Sequence, residues 1–337
     1  MIFRLKYILL VLLLFGIGCS PLPLKETRMF LGTEVTITIH KKSRRLRTGL
    51  LWAALDSSFR EVRRIHELAG RMELYQLNGM AGYDYSYITK ELVDLINLGY
   101  DVMDETNAAY RPDMDPLMKL WGFKYDEPYV PESWEVDSVL TLVDSTIFTM
   151  SDTGFARLDP HNAALDLGGI AKGYAVDRAC QVLQSVGILA GVVEAGGDHR
   201  CFGTKPGGKP WRFAIRHPRE LGEFYTTITI DSGAVATSGD YERYFMDERI
   251  KYHHIIDPKT GYPARGAISC TVVSPTCVKA DAYATAFFVL GKKRGVNLAE
   301  ELGVETLILT EEFDEVRAYE TEGFKMLHGS VNKEIRE

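Results

Sequence analysis

Apolar and polar residues alternate along residues 30–40, with Val35, Ile37 and Ile39 against Glu34, Thr36 and Thr38, which predicts a strand. The period then changes. Leu51, Leu55, Phe59, Val62 and Ile65 recur at helical spacing up to Gly70, and a second helix is predicted from Thr89, a suitable N-cap, through Leu92, Leu95, Ile96 and Val102. Residues 121–130 are aromatic and contain Pro128, so they read as loop. Residues 139–143 and the stretch after Ser151 lead into short strands around residues 155–158 and 164–166. Helical spacing returns from Ile170 to Gly187 through Val176, Ala179, Leu183 and Val186, with Gly187 a natural C-cap. Strands are predicted at residues 188–194, 211–215, 225–230 and 269–273, and another helix at 280–291. Helices packed on mostly hairpin-connected strands give an α+β class with mixed or antiparallel sheets rather than a doubly wound fold. No shift in composition marks a boundary within residues 19–337, which read as one domain.

The first residues carry a different signal. Arg4 and Lys6 precede an apolar run over residues 8–17 and then Gly18-Cys19-Ser20, the layout of a secretory signal in residues 1–18. The run is shorter than the ~20 apolar residues that span a bilayer. The site ending in Cys19 resembles a bacterial lipobox, in which that cysteine carries the lipid; a plain cleaved signal or an uncleaved anchor are the other readings. The expectation is an exported, membrane-anchored lipoprotein facing the periplasm. Cys180, Cys201, Cys270 and Cys277 contain no CxxC pair, and Cys180, on an apolar helix pattern, reads as a buried free thiol.

Composition narrows the class. With 46% hydrophobic and 25% charged residues in 337, the chain is globular. A net charge of −7 disfavours phosphate backbones, so a nucleic-acid partner is not expected, and an anionic ligand needs local donors or a cation.

Five segments carry candidate chemistry. Residues 165–177 join a strand to a helix through Gly168 and Gly169, where free N–H groups and the helix dipole favour an anion and Lys172 adds a cation; a tight turn with a solvated lysine explains the same residues. The glycines have neither Walker A nor GxGxxG spacing. Residues 194–198, with Gly196-Gly197-Asp198, are ordinary turn chemistry when taken alone. Residues 236–245 gather small hydroxyls after a strand, or form a polar loop. His254, beside an apolar pair and Pro258, suits a base, a ligand contact or a core histidine equally. Asp281 and Thr285 lie four apart at a helix start, so their oxygens share one face. That pair suits a hard cation such as Mg²⁺, or an acid at the helix N-terminus with a back-bonded threonine.

In this order the segments resemble one family. Leu31-Gly32-Thr33, residues 115–123 (DPLMKLWGF), residues 166–174 (DLGGIAKGY), Gly196-Gly197-Asp198, residues 236–241 (ATSGDY), residues 254–258 (HIIDP) and residues 280–285 (ADAYAT) are similar to those of ApbE-type flavin transferases, over roughly residues 29–327. The resemblance implies an ApbE-like fold with the flavin site in a cleft, FAD as substrate, Mg²⁺ as cofactor, and transfer of FMN to a Thr or Ser hydroxyl of an acceptor protein with release of AMP. It implies Mg²⁺ ligands at Gly169 (through its carbonyl), Asp281 and Thr285, and His254 as the base, its pKa poised near neutrality. FAD contacts are implied at Leu31, Tyr75, Ala109, Tyr110, Arg111, Asp166, Lys172 and the Ile255 backbone. Two rivals use the same residues: a Mg²⁺-dependent FAD pyrophosphatase with water as nucleophile, and a flavin-binding lipoprotein without turnover. Retention of Asp281, Thr285 and His254 argues against the second.

Overall fold

The structure, a computed structural model, describes residues 23–43, 46–124, 127–151 and 154–328. The signal segment and Cys19 lie outside them. The chain runs β1 (Leu24–Phe30), β2 (Thr33–Lys42), α1 (Leu51–Gly70), α2 (Glu73–Gly79), β3 (Ser86–Tyr87), α3 (Lys90–Glu105), α4 (Asp115–Leu120) and α5 (Ser133–Asp144). It continues with β4 (Ile147–Met150), β5 (Phe155–Asp159), α6 (Gly168–Ser185), β6 (Ile188–Ala195), β7 (Asp198–Phe202), β8 (Trp211–Arg216) and β9 (Phe224–Ile230). Then follow β10 (Gly233–Gly239), β11 (Tyr244–Asp247), β12 (Ile250–His253), β13 (Ser269–Ser274), α7 (Cys277–Leu302), β14 (Glu305–Glu312), β15 (Glu315–Glu320) and α8 (Glu322–Leu327).

Eight strands form the main sheet in the order β1-β2-β6-β7-β10-β13-β14-β15, every neighbouring pair antiparallel. The α+β expectation holds. Helices α1, α6 and α7 pack on one face, burying Val35, Ile37, Phe59, Val62, Val176, Ala179, Phe287 and Phe288 in one continuous core. Each such large apolar side chain contributes about 1.5–3 kcal/mol of transfer free energy. On the other face, the β8–β9 hairpin and α8 close over Trp211, Ile228, Leu307 and Phe324. A third cluster of Leu117, Trp121, Phe123, Val143 and Ile256 ties α4 and α5 to the segment after β12. The four cysteines Cys180, Cys201, Cys270 and Cys277 are buried free thiols.

Three predicted elements differ. The single strand over residues 30–40 is a hairpin, because Leu31 (φ 53°) and Gly32 (φ 72°) turn the chain between β1 and β2; two positive φ values match the twist that antiparallel strands require. Residues 164–166 are not a strand. The Leu165 backbone N–H donates to Asn78 Oδ1 (2.9 Å), its carbonyl accepts from Asn78 Nδ2 (2.9 Å), and Asp166 N–H donates to the Pro112 carbonyl (2.6 Å). A side chain and a loop carbonyl thus satisfy a backbone that a ladder would otherwise hold. Residues 139–143 belong to α5, whose start is fixed by a capping box between Glu132 and Glu135. The remaining helices follow the pattern: Thr89 caps α3 by accepting from Leu92 N–H, and α7 breaks at Gly291 (φ 72°, ψ 178°), where the predicted helix ends.

Candidate functional site

Two helices meet at the centre of the site. Gly173 on α6 lies so close to α7 that a Cβ there would stand 2.4 Å from the Cys277 carbonyl oxygen. The same approach lets Gly173 N–H donate to Asp281 Oδ2 at 3.0 Å. Asp177, one turn further along α6, accepts from the Cys277 and Val278 N–H groups at 2.9 and 3.0 Å, satisfying two free donors at the start of α7. Helix crossing and helix capping therefore fix the position of Asp281 together.

A cavity of about 580 Å³ opens over this crossing. It is lined by Leu31, Ala109, Tyr110, Arg111, Asp166, Gly169, Lys172, His254, Ile255, Asp281 and Thr285, all of them predicted. Tyr75 is the exception. It lies on α2, 68% exposed, and does not line the cavity.

The predicted oxygen donors converge. Asp281 is buried, Thr285 Oγ1 lies 3.2 Å from Ser238 Oγ on β10, and a Cβ on Gly169 would stand 3.8 Å from Thr285 Oγ1. Thr285 also back-bonds the Asp281 carbonyl at 3.5 Å, so the metal reading and the helix reading of this residue coexist. One carboxylate and two hydroxyls are hard ligands, too few to enclose an ion and suited to Mg²⁺, which keeps waters and takes phosphate oxygens. Among the described residues no cluster of three or more His, Cys, Asp or Glu could hold a metal. Tyr110, against Gly169, has a buried hydroxyl without a hydrogen-bond partner, and burial holds its pKa well above the usual tyrosine value. Such an orphaned donor fits a cavity meant to receive polar ligand atoms.

Lys172 is half-buried and paired rather than a freely solvated lysine. Its Nζ donates to Asp198 Oδ2 (2.6 Å) and Asp281 Oδ1 (3.0 Å). Asp198, read from sequence as part of an ordinary turn, is buried, and burial raises its carboxyl to about 7, with Asp281 adding and Lys172 opposing. The Gly-Gly-Asp spacing was the signal available for it, but nothing local says that the carboxylate reaches α6. Asp166 Oδ1 accepts the Gly168 N–H (2.8 Å) at the α6 start, and Oδ2 pairs with Lys124 (3.2 Å), which also bonds Asp115; Lys124 was not predicted. Arg111 reaches the cavity with its charged head already bound to Asp113 (2.8 and 2.9 Å) and Asp144 (2.7 Å). The Ile255 N–H donates to His253 Nδ1 (3.3 Å) and its carbonyl accepts from Ala264 N–H (2.9 Å).

His254 lies 3.2 Å through Nδ1 from the Arg243 carbonyl, which makes Nδ1 the protonated nitrogen and leaves the Nε2 lone pair free to accept. Its pKa is not near neutrality. Burial first, then the Arg243 charge, push the imidazole down to about 3, so it is neutral at pH 7. A pyrophosphate in the cavity acts the other way, because negative charge favours the imidazolium.

Residues 31–308 match the profile of the ApbE family. The FAD:protein FMN transferase of Vibrio cholerae serotype O1 is 34% identical over 243 residues, covering 71% of this chain and 70% of that protein. The FAD:protein FMN transferase of Rhodobacter capsulatus is 32% identical over 295 residues, 86% of this chain; the match spans 56% of that relative's length. The crystal structure of the ApbE protein from Thermotoga maritima superposes with a TM-score of 0.83 at 33% identity, covering 91% of this chain and all of that one. The flavin transferase ApbE from Vibrio cholerae gives 0.78 at 27% identity over 90% and 99% of the two chains. A match running from the β1–β2 turn into β14, on the same arrangement of sheet and helices, shows that this chain belongs to the ApbE family.

Proposed function

We propose that this chain is a Mg²⁺-dependent FAD:protein FMN transferase that joins FMN to a Thr or Ser hydroxyl of an acceptor protein through a phosphoester and releases AMP. One observation carries the reading. Asp281, Thr285, Lys172 and His254 come from separate segments and line a single cavity, in a member of a family whose relatives bear that name. The acceptor hydroxyl gives its proton to His254 Nε2, its oxygen bonds to the FMN-side phosphorus, and the pyrophosphate P–O bond breaks with AMP as leaving group. Asp281, Thr285 and the Gly169 carbonyl would hold Mg²⁺, which supplies charge neutralisation for the diphosphate. FAD lies across the cavity, with Leu31, Ala109, Tyr110 and Asp166 as contacts. The reading extends to place: lipid at Cys19 tethers an exported chain to the membrane, and among the described residues no helix is long and apolar enough to cross one.

Mass spectrometry of an acceptor domain incubated with FAD, Mg²⁺ and this protein tests the reaction. The acceptor gains the mass of FMN, and AMP appears in equal amount. His254→Ala keeps FAD binding and loses transfer about 10²–10⁴-fold, the usual contribution of general-base catalysis. Free FMN and AMP over an unmodified acceptor would instead assign the pyrophosphatase reaction.

A further inference from the structure

The Lys172 ammonium stands where a cation at Asp281 would also have to stand. Asp281 Oδ2 is bound by the Gly173 N–H, and Oδ1 is bound by Lys172 Nζ at 3.0 Å. A divalent cation that takes Oδ1 meets a positive charge on the same atom, a repulsion that grows in a buried site. The ammonium has a second partner, closer still. Asp198 Oδ2 lies 2.6 Å away, on a buried side chain at the start of β7, directly after the Gly196-Gly197 turn. Asp198 is not among the residues that line the cavity, whereas Lys172 and Asp281 are.

We propose that Lys172 is a built-in counter-ion of Asp281 that gives way to the divalent cation, and that Asp198 is the positioning residue that retains the ammonium when it does. The inference rests on the reading that Asp281 binds a cation. One ammonium bonds both buried carboxyl groups and compensates a single negative charge between them, and burial accordingly raises both carboxyls. When the cation takes Asp281, Lys172 stays on Asp198, on the cavity wall and beside the bound diphosphate. Two consequences of opposite sign follow. Removing the ammonium removes the competitor and strengthens cation binding; removing the Asp198 charge leaves the ammonium to Asp281 alone and weakens it.

The test is titration of the full chain with Mn²⁺, without nucleotide, followed by the electron paramagnetic resonance signal of free Mn²⁺. Lys172→Met is expected to bind Mn²⁺ about tenfold or more tighter than wild type, and Asp198→Asn weaker by a similar factor, the low end of what one adjacent charge does to a carboxylate. Circular dichroism melts check that each variant is folded, and Lys172→Gln, neutral and close in length, takes the place of Lys172→Met if that variant does not fold. Equal binding in all three proteins, or weakening in both variants as damage to the site would give, overturns the inference. Failure of the underlying reading has its own signature: Asp281→Asn then binds Mn²⁺ as wild type does.

Discussion

His253 and His254 are adjacent in sequence and differ in what surrounds their nitrogens. His254 faces the cavity with Nε2 free, while His253 is buried with both nitrogens engaged: Nε2–H donates to the Ala264 carbonyl at 2.9 Å and Nδ1 accepts the Ile255 N–H at 3.3 Å. Burial pushes His253 from its ordinary 6.5 down to about 4. A proton on Nδ1 would break the Ile255 bond, which is part of the cavity wall. The unfolded chain therefore binds this proton first. The contribution of His253 to stability is complete above pH 6.5, falls as the pH drops from 6.5 toward 4, and levels off below; His254 acts in the same direction and Asp198 in the opposite one. In thermal melts between pH 7 and 4.5, His253→Gln should lose less stability toward acid than wild type does. An unchanged slope in the variant would assign the acid sensitivity to other groups. The two histidines are neighbours in sequence, and only the packing separates the one that faces the cavity from the buried strut.

At the scale of elements, the α6–α7 crossing sets the geometry of the site. A Cβ on Gly173 would meet backbone on α7, 2.4 Å from the Cys277 oxygen and 2.7 Å from the Val278 Cα, with no flexible side chain to move aside. Gly173→Ala should cost about 1–3 kcal/mol, as overpacking does, and should lengthen the contact from Gly173 N–H to Asp281. The melting temperature should drop by several degrees and cation affinity should fall with it. Gly79→Ala on α2, where a Cβ meets nothing within 4 Å, is the control and should melt as wild type. The periodicities that revealed α1, α3, α6 and α7 are those of helices with one buried face. Helices α2 and α4, of 7 and 6 residues, are too short to display a period, and α5 buries only Val136 and Val143, so none of the three stood out.

For the whole molecule, the acidic chain and its N-terminal segment define one further expectation. If Cys19 carries lipid, the protein should partition into detergent with the membrane fraction, and Cys19→Ala should release it or leave an unprocessed precursor; a soluble wild-type chain with an unmodified N-terminus would reject the anchor. The α+β class and the order of the motifs could be read from the chain, because turns, helix faces and cap positions are local and leave a mark at fixed spacing; eleven of the twelve candidate site residues line the cavity, most of them implied by the family resemblance rather than by spacing. Tyr75, also implied by the resemblance, does not line the cavity, since a shared motif does not fix which side of α2 meets it. The Lys172 pairs are of the same kind: Asp198 lies 26 residues away and Asp281 lies 109. Their meeting is decided by the close approach of α6 to α7 and by the position of β7 in the sheet. Those contacts depend on buried volume and charge compensation between distant segments, which no local pattern of residues records.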